Sequence, residues 1–435
     1  MNSPNADATH ARLRAIEADI GAGRLAEAAA ALNAAAAAAP HDPRVYLTGA
    51  VLAHAAGNPQ QELLSLKRAV QLAPQWWPPY AELAKALLRQ ERLGEAVAVA
   101  NKAVELAPHE MLALEVAVAV ANGAGDAATA RQHLQAALAL RPGELGIRRM
   151  LGMVLDKLHE HAAAEELWRG ILAELPNDVS ALGWRGVSLL GLGRNSEARA
   201  SLEQALQLAP EHPDLPFQLA RARGETPPSQ PLGSVRQLFD DYANRFDAHL
   251  RDTLQYRVPE LVAQIIRKRH PALDISVLDL GCGTGLLGTQ LGSIKGALVG
   301  VDISRNMLDK AARLKLYAEL RQGDLLDAMR EFAADSFDYA VANDVFIYVG
   351  DPAASIEASW RVLRPGGALI FSCETAREDE GTLVLRASKR YAHSRGSIES
   401  TCRAAGFRST TIEAINVRLD GNGQPVAGFL VVAEK

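Results

Sequence analysis

The feature that most constrains this chain is a proline that returns at a fixed interval through its first half. The interval is 34 residues, and the prolines that share this register are Pro40, Pro74, Pro108, Pro142, Pro176 and Pro210. Since proline makes up about 5% of residues in ordinary proteins, five further matches in one register would arise by chance on the order of once in several million. The first half is therefore an internal repeat.

Each repeat carries a spacing that predicts a helix ending near the proline. Small residues recur in the same register at Ala28, Ala96, Ala130, Ala164 and Ala198, with Glu62 in the remaining place. Apolar residues follow four and seven positions later, which puts them on one helical face. Small residues let paired helices approach closely, and proline cannot continue the helix that it ends.

A 34-residue unit of this kind resembles the tetratricopeptide repeat, a helix–turn–helix unit. We expect six repeats, at 9–42, 43–76, 77–110, 111–144, 145–178 and 179–212, followed by a capping helix at 213–223. The resemblance implies an α-solenoid whose groove binds a protein or peptide partner. The alternative is that the repeats only assemble the chain into a homo-oligomer or brace a second domain.

Composition sets the broad class of the protein. A chain of 435 residues is too long for one ordinary core, so two domains are expected. The net charge of −5 gives no indication of a nucleic-acid partner. Three widely spaced cysteines predict a reducing compartment and no metal site, and no stretch reads as a signal peptide or a membrane span. We therefore expect a cytoplasmic protein that binds neither membrane nor nucleic acid.

The second half is organised around a short strand that runs into a glycine-rich turn at 275–285. Gly281, Gly283 and Gly285 alternate there with Cys282 and Thr284 before a helix opens. Glycines at this spacing let the backbone turn sharply and lie against a ligand where any Cβ would collide. The stretch therefore predicts a cofactor site.

Two cofactor classes satisfy the glycine pattern taken alone. Residues 283–288 form a G-x-G-x-x-G motif, and Asp302 lies near the offset of a ribose-binding acid, so a nicotinamide dinucleotide is allowed. Three further features favour a cofactor other than a nicotinamide dinucleotide. Asp279 lies inside the strand, Asp324 follows the next segment, and a Pro-Gly-Gly turn at 365–367 precedes an apolar run.

With these motifs in this order, the region from about residue 235 to 435 resembles the class I S-adenosylmethionine-dependent methyltransferases. The resemblance implies a Rossmann-like domain of seven strands, the last two antiparallel to the sheet. The predicted architecture is therefore a disordered start (1–8), repeats (9–223), a linker (224–233) and a methyltransferase domain (234–435). The expected cofactor is S-adenosylmethionine, with S-adenosylhomocysteine as its product.

The resemblance also implies roles for single residues. Asp302 would accept both ribose hydroxyls, with Ile303 and Met307 against the adenine, and Asp324 would accept the adenine amino group beside Leu325. The expected cofactor-binding residues are Tyr242, Phe246, Asp279, Gly281, Cys282, Gly283, Thr284, Gly285, Asp302, Ile303, Met307, Asp324, Leu325 and Asn343. Tyr242 and Phe246 would belong to a lid helix, in which Phe239 is expected to pack on the core.

Three residues are candidates for removing a proton from a methyl acceptor: Asp344, Tyr348 and His393. The repeats favour a protein or peptide acceptor, with a small molecule as the alternative. A third hypothesis is a non-catalytic adaptor that carries a methyltransferase-like domain. The intact glycine loop and acids argue against this hypothesis.

Overall fold

The computed structural model describes residues 4–243, 246, 254–377, 379–420 and 423–435. The chain divides into two compact units, Met1–Arg194 and Asn195–Lys435. Among the helices of the described residues, none has the length and apolar character that crossing a membrane requires.

The first unit is built from consecutive helices of similar length. They are α1 (Pro4–Gly21), α2 (Leu25–Ala38), α3 (Pro43–Ala55), α4 (Pro59–Leu72), α5 (Trp77–Arg89), α6 (Leu93–Leu106), α7 (Met111–Ala124), α8 (Ala127–Leu140), α9 (Leu145–Lys157), α10 (His161–Glu174) and α11 (Val179–Gly191). Several begin at a capping side chain, and the Asp126 carboxylate accepts from the backbone N–H of Thr129. The predicted helix pairs are confirmed, although α1 begins at Pro4, inside the segment expected to be disordered.

The predicted small-residue positions form the core between paired helices. Ala96, Ala130 and Ala164 are fully buried, and so is Trp168 on the same face of α10 as Ala164. The helices can approach because no larger side chain stands at these alanine positions. The i, i+4 pattern read from the sequence therefore marks the buried face.

A pair of glycines in adjacent helices tests this packing. We expect Gly152→Ala to lower the free energy of unfolding by about 1–3 kcal/mol, since overpacking strains a filled core. The new Cβ would lie 2.6 Å from Cζ2 of the buried Trp168 ring. Gly170→Ala is the control, because its Cβ meets nothing within 4 Å and alanine favours a helix. Urea denaturation measures both; equal effects of the two variants would contradict the packing.

The second unit holds a sheet flanked by helices. Its helices are α12 (Asn195–Leu208), α13 (Leu215–Ala222), α14 (Leu232–Tyr242), α15 (Val258–Arg269), α16 (Leu286–Leu291), α17 (Arg305–Arg313), α18 (Leu325–Glu331), α19 (Ala353–Val362) and α20 (Arg395–Ala404). Its strands are β1 (Val277–Leu280), β2 (Leu298–Asp302), β3 (Glu319–Gln322), β4 (Phe337–Ala342), β5 (Leu363–Thr375), β6 (Leu383–Leu385), β7 (Tyr391–His393), β8 (Ser409–Leu419) and β9 (Pro425–Glu434).

The sheet follows the predicted Rossmann-like order, with two additions. Strands β3-β2-β1-β4-β5 are parallel neighbours, and β9 pairs antiparallel with β5. The short strands β6 and β7 were not predicted and extend the end of β5. The prediction that both final strands run antiparallel to the sheet is wrong for β8. Strand β8 is antiparallel to β9 and therefore shares the direction of β5.

The predicted linker packs on the second unit. The Pro227 carbonyl accepts from the Tyr391 hydroxyl at 2.8 Å, and the Pro228 carbonyl accepts from the Asp351 backbone N–H at 2.9 Å. The last predicted repeat helix, α12, and the capping helix α13 cluster with this unit. The compact division after Arg194 therefore differs from the predicted boundary at 223.

Candidate active site

A cavity of about 690 Å³ opens at the carboxyl ends of the parallel strands. Ligands of open α/β sheets bind at this edge. Thirteen residues predicted from the sequence line the cavity: Tyr242, Phe246, Asp279, Gly281, Cys282, Gly283, Asp302, Ile303, Asp324, Leu325, Asn343, Asp344 and Tyr348. The fold thus brings together residues from Tyr242 to Tyr348, more than a hundred positions apart in the chain.

The glycine turn forms one side of the cavity. Gly281, Gly283 and Gly285 have φ of 68°, 55° and 90°, a region that L side chains seldom adopt. A Cβ on Gly281 would lie 2.6 Å from a methyl carbon of Val345. The Gly281 and Cys282 backbone N–H groups both donate to the Val301 carbonyl, which fixes the turn against β2. Only glycine at the first position lets the turn lie this close to the chain after β4.

Asp302 ends β2 with its carboxylate at the cavity. It is 7% exposed, and its two oxygens accept from the backbone N–H groups of Gly283 and Ser304, each at 2.8 Å. Burial raises the pKa of Asp302 to about 6, while the two backbone N–H groups oppose the shift. Each oxygen keeps a lone pair for a ligand hydroxyl. The helix cap that follows is Ser304, whose hydroxyl accepts from the Met307 N–H.

Asp279 is a second buried carboxylate beside the glycine turn. Its Oδ2 accepts a 2.6 Å hydrogen bond from the Tyr317 hydroxyl, and burial raises its pKa to about 7. The same hydrogen bond favours the ionised form but does not offset the loss of solvent. Tyr317 therefore fixes the Asp279 side chain at the base of the cavity.

The helix α14 and Phe246, which follows it in the chain, cover the cavity with aromatic rings. Phe239, Tyr242 and Phe246 line it, and the Tyr242 and Phe246 rings meet edge to face at 5.3 Å. The expectation that Phe239 packs on the core is wrong. Phe239 lines the cavity, and the centroid of its ring lies 5.2 Å from that of Tyr348. The Asp240 carboxylate accepts from the Ser304 hydroxyl at 2.6 Å. This bond ties the covering helix to the residues that follow Asp302.

A buried ionic cluster lies beside the cavity. Arg418, on β8, is 3% exposed and binds both the Asp344 and the Glu374 carboxylates. Burial raises the pKa of Glu374, while Arg418 opposes the shift. Tyr256 lines the same part of the cavity, and burial, followed by the Asp344 charge, raises its pKa. The cavity therefore has an aromatic cover and a charged inner side.

Comparison with protein families matches both halves of the chain. A model described as a methyltransferase domain matches residues 278–371, which contain the glycine turn, Asp302 and Asp344. Models described as tetratricopeptide repeats match residues 78–110 and 149–213. This chain is a tetratricopeptide-repeat protein with a methyltransferase domain.

Two of the curated relatives are O-methyltransferases, and each matches about a third of this chain. The ubiquinone biosynthesis O-methyltransferase of Thiobacillus denitrificans is 30% identical over 31% of this chain and 60% of its own length. The malonyl-[acyl-carrier protein] O-methyltransferase of Halalkalibacterium halodurans is 32% identical over 32% of this chain and 54% of its own. The solved structure of a SAM-dependent methyltransferase from Methanosarcina mazei covers 39% of this chain and 96% of its own, at 20% identity and a TM-score of 0.32.

Four predicted residues of the methyltransferase domain do not line the cavity. Thr284 and Met307 are buried, and Gly285 packs beneath the turn against Leu314 and Tyr317. These three residues therefore pack behind the residues that line the cavity and do not contact it.

His393 is the fourth of these residues, and its geometry argues against a role as a base. Its Nε2 hydrogen-bonds the Gly350 carbonyl at 2.5 Å, and burial lowers its pKa. We interpret it as a histidine that holds the chain after β4.

Asp324 lines the cavity and also caps α18. Its Oδ1 accepts from the backbone N–H groups of Leu326 and Asp327, at 2.9 and 3.3 Å. The cap uses one carboxylate oxygen, so the other stays available for a ligand. Both interpretations of Asp324, as a cap and as a ligand group, are therefore compatible.

Sequence reasoning missed three groups of the site: Tyr256, Tyr317 and Arg418. Arg418 lies between the two predicted final strands, 407–415 and 425–432, where an arginine is ordinarily exposed to solvent. Tyr256 and Tyr317 lie outside the predicted motifs. None of the three residues therefore carried a local signal of its place in the site.

Proposed function

We propose that this chain is an S-adenosylmethionine-dependent methyltransferase. The observation that carries the proposal is the Asp302 carboxylate, held at the cavity by the Gly283 N–H of the glycine turn. Two carboxylate oxygens at the end of β2 suit the paired hydroxyls of a ribose. This chain spans 60% of the length of the first of these curated relatives and 54% of the other.

The residues around Asp302 fit the rest of such a cofactor. Ile303 and Leu325 offer apolar contacts to a base, and the second Asp324 oxygen suits an amino group. At the other end, Tyr242 and Phe246 cover the cavity and exclude water from a methionine portion. Asp279 and Asn343 supply acceptors for an ammonium group.

A nicotinamide dinucleotide fits the same turn less well. A pyrophosphate is held by the N-terminus of a helix, where aligned peptide dipoles favour negative charge. The helix after the turn, α16, has six residues, so few dipoles are aligned there. The carboxylates of Asp279 and Asp302 also flank the turn and would repel phosphate. These features disfavour a nicotinamide oxidoreductase.

The chain's own residues would supply orientation and proton removal. When bound, the cofactor provides an activated methyl group, so the protein chiefly aligns donor with acceptor and excludes water. Asp344 lines the cavity, and its Oδ1, which has no hydrogen-bond partner, would take a proton from a hydroxyl or amine acceptor. Tyr348, packed against Phe239, would lie beside the reacting groups.

We further propose that the repeats recruit a protein or peptide acceptor to the methyltransferase domain. Tetratricopeptide repeats form binding surfaces for such partners, and families of this kind match two stretches of the first 213 residues. A small-molecule acceptor is the second candidate, because a relative's name refers to ubiquinone biosynthesis.

Labelled methyl transfer tests the function and separates the two acceptor classes. The full chain is incubated with methyl-labelled S-adenosylmethionine and a lysate of the source organism, which is then separated by size. Label in a macromolecule that is lost with Asp302→Asn supports the protein acceptor, whereas label only in small molecules supports the second candidate. Absence of label in both fractions, with the cofactor still bound, would favour the adaptor hypothesis.

The raised pKa of Asp302 predicts a pH dependence of cofactor binding. The ionised carboxylate is the form that accepts from both ribose hydroxyls, so affinity should be nearly complete at pH 7.5 and should fall as the pH drops through the pKa of about 6. We expect about a tenfold loss of S-adenosylhomocysteine affinity between pH 7.5 and pH 5, measured by calorimetry. The variant Asp279→Asn should show the same loss of affinity between pH 7.5 and pH 5. Affinity that is independent of pH would contradict ribose binding by Asp302.

A further inference from the structure

The inner side of the cavity carries buried oxygens without hydrogen-bond partners. Among the residues that the structure describes, Tyr256 Oη and Asp344 Oδ1 are buried and unpaired, and both residues line the cavity. Leaving a buried polar atom unpaired is costly, so native proteins satisfy nearly all of them. Unpaired polar atoms on residues that line a cavity point to a ligand that supplies the missing hydrogen bonds.

The charge of this region limits what that ligand can be. Arg418 donates through one nitrogen to Asp344 Oδ2 and through the other to Glu374 Oε1, so two carboxylates share one guanidinium. Asp344 Oδ1 is therefore left as an acceptor beside a net negative cluster. A hydroxyl or an amine on the ligand satisfies it, whereas a carboxylate would add a further negative charge.

The backbone holds Asp344 in an unusual conformation at this position. Its φ is 59°, a region that non-glycine residues enter seldom and at a cost. The conformation is fixed by the Asp344 N–H, which donates to the Ser372 hydroxyl at 2.8 Å. The carboxylate is thus held in one place by Ser372 from below and by Arg418 from the side.

We propose that this wall, made of Tyr256, Asp344 and Arg418, binds the methyl acceptor through a hydroxyl or an amine. Tyr256 and Asp344 contact the acceptor group, and Arg418 positions Asp344. The aromatic rings of Phe239 and Tyr348 on the facing side suit an apolar or aromatic acceptor body. The inference rests on the proposed methyltransferase function, which assigns the rest of the cavity to the cofactor.

Three one-ring probes test the wall on the full chain. The chain is first titrated with S-adenosylhomocysteine, and the saturated complex is then titrated with catechol, benzylamine and benzoate by ligand-observed NMR. We expect catechol or benzylamine to bind at least about tenfold more tightly than benzoate, which corresponds to one satisfied charge-assisted hydrogen bond. Failure to bind S-adenosylhomocysteine would count against the proposed function, not against the wall.

Two variants that each remove one buried hydroxyl test whether Tyr256 contacts the bound probe. Tyr256→Phe should weaken the tighter probe about fivefold to tenfold without lowering the melting temperature, since it removes an unpaired buried hydroxyl. Thr375→Val removes another unpaired buried hydroxyl, which does not line the cavity, and should leave probe binding unchanged.

The role of Arg418 needs a separate readout. Arg418→Lys keeps a positive charge but loses the two-pronged geometry. With an identified acceptor as substrate, Arg418→Lys should lower kcat more than it raises KM. The variant should also shift the pH profile of kcat.

Arg390 provides the competing explanation. It lines the cavity on a more exposed side and is a cation that an acidic acceptor would seek. Benzoate binding as tightly as catechol and benzylamine would assign acceptor recognition to Arg390 and overturn the proposal. Binding of none of the three probes, or binding unchanged by Tyr256→Phe, would overturn it as well.

Discussion

Asp302→Asn is expected to weaken S-adenosylhomocysteine binding by at least about a hundredfold. Each hydrogen bond to a charged group contributes about 1.5–3 kcal/mol, and the variant alters both ribose contacts. The melting temperature should change by only a few degrees. The variant loses one backbone hydrogen bond but also removes a buried charge whose pKa is raised to about 6. Calorimetry measures the affinity, and circular dichroism measures the melting temperature.

The control for this variant is Asp309→Asn on α17. Asp309 is exposed and pairs with Arg305 four residues earlier, so its loss should leave both quantities unchanged. Affinity within twofold of the wild type for Asp302→Asn would remove Asp302 from the cofactor site. Loss of affinity together with a collapsed melting temperature would instead indicate a structural role.

Arg418→Met is expected to lower the free energy of unfolding by about 3–5 kcal/mol at pH 8. It leaves Asp344 and Glu374 buried without their cation, and a stranded buried charge is strongly destabilising. A buried carboxylate binds protons more tightly in the folded state, so the loss should be largest at high pH and shrink towards pH 5. Urea denaturation at both pH values measures this dependence.

A neutral triple variant provides the rescue. Arg418→Met combined with Asp344→Asn and Glu374→Gln removes all three charges and should recover most of the lost stability at pH 8. Asparagine also tolerates the positive φ at position 344. A single variant as stable as the wild type, or a loss that does not depend on pH, would contradict the buried cluster.

Local patterns predicted those parts of the fold that depend on residues close in sequence. The proline register and the small-residue face identified the helix pairs of the repeats, because a helix face is set by i, i+4 neighbours. The strand, glycine turn and acid at 277–302 were predicted because a parallel strand, its turn and the next strand follow one another directly. The order of strands in the sheet then placed Asp279 and Asp302 on one edge.

The parts that were missed depend on distant pairing. Arg418 meets Asp344 across 74 residues, and this contact depends on the register of β8 against β9, which no local pattern sets. The packing of the 224–233 linker depends on Tyr391, which reaches Pro227 across 164 residues. His393 was misjudged because sequence cannot show that its Nε2 faces a backbone carbonyl.

Calorimetric titration of the full chain with S-adenosylmethionine, and separately with oxidised nicotinamide adenine dinucleotide, tests whether the cavity beside Asp302 binds S-adenosylmethionine. We expect one-to-one binding of S-adenosylmethionine at pH 8, lost in Asp302→Asn, and no binding of the dinucleotide. Binding of the dinucleotide, or no binding of S-adenosylmethionine, would contradict this assignment of the cavity.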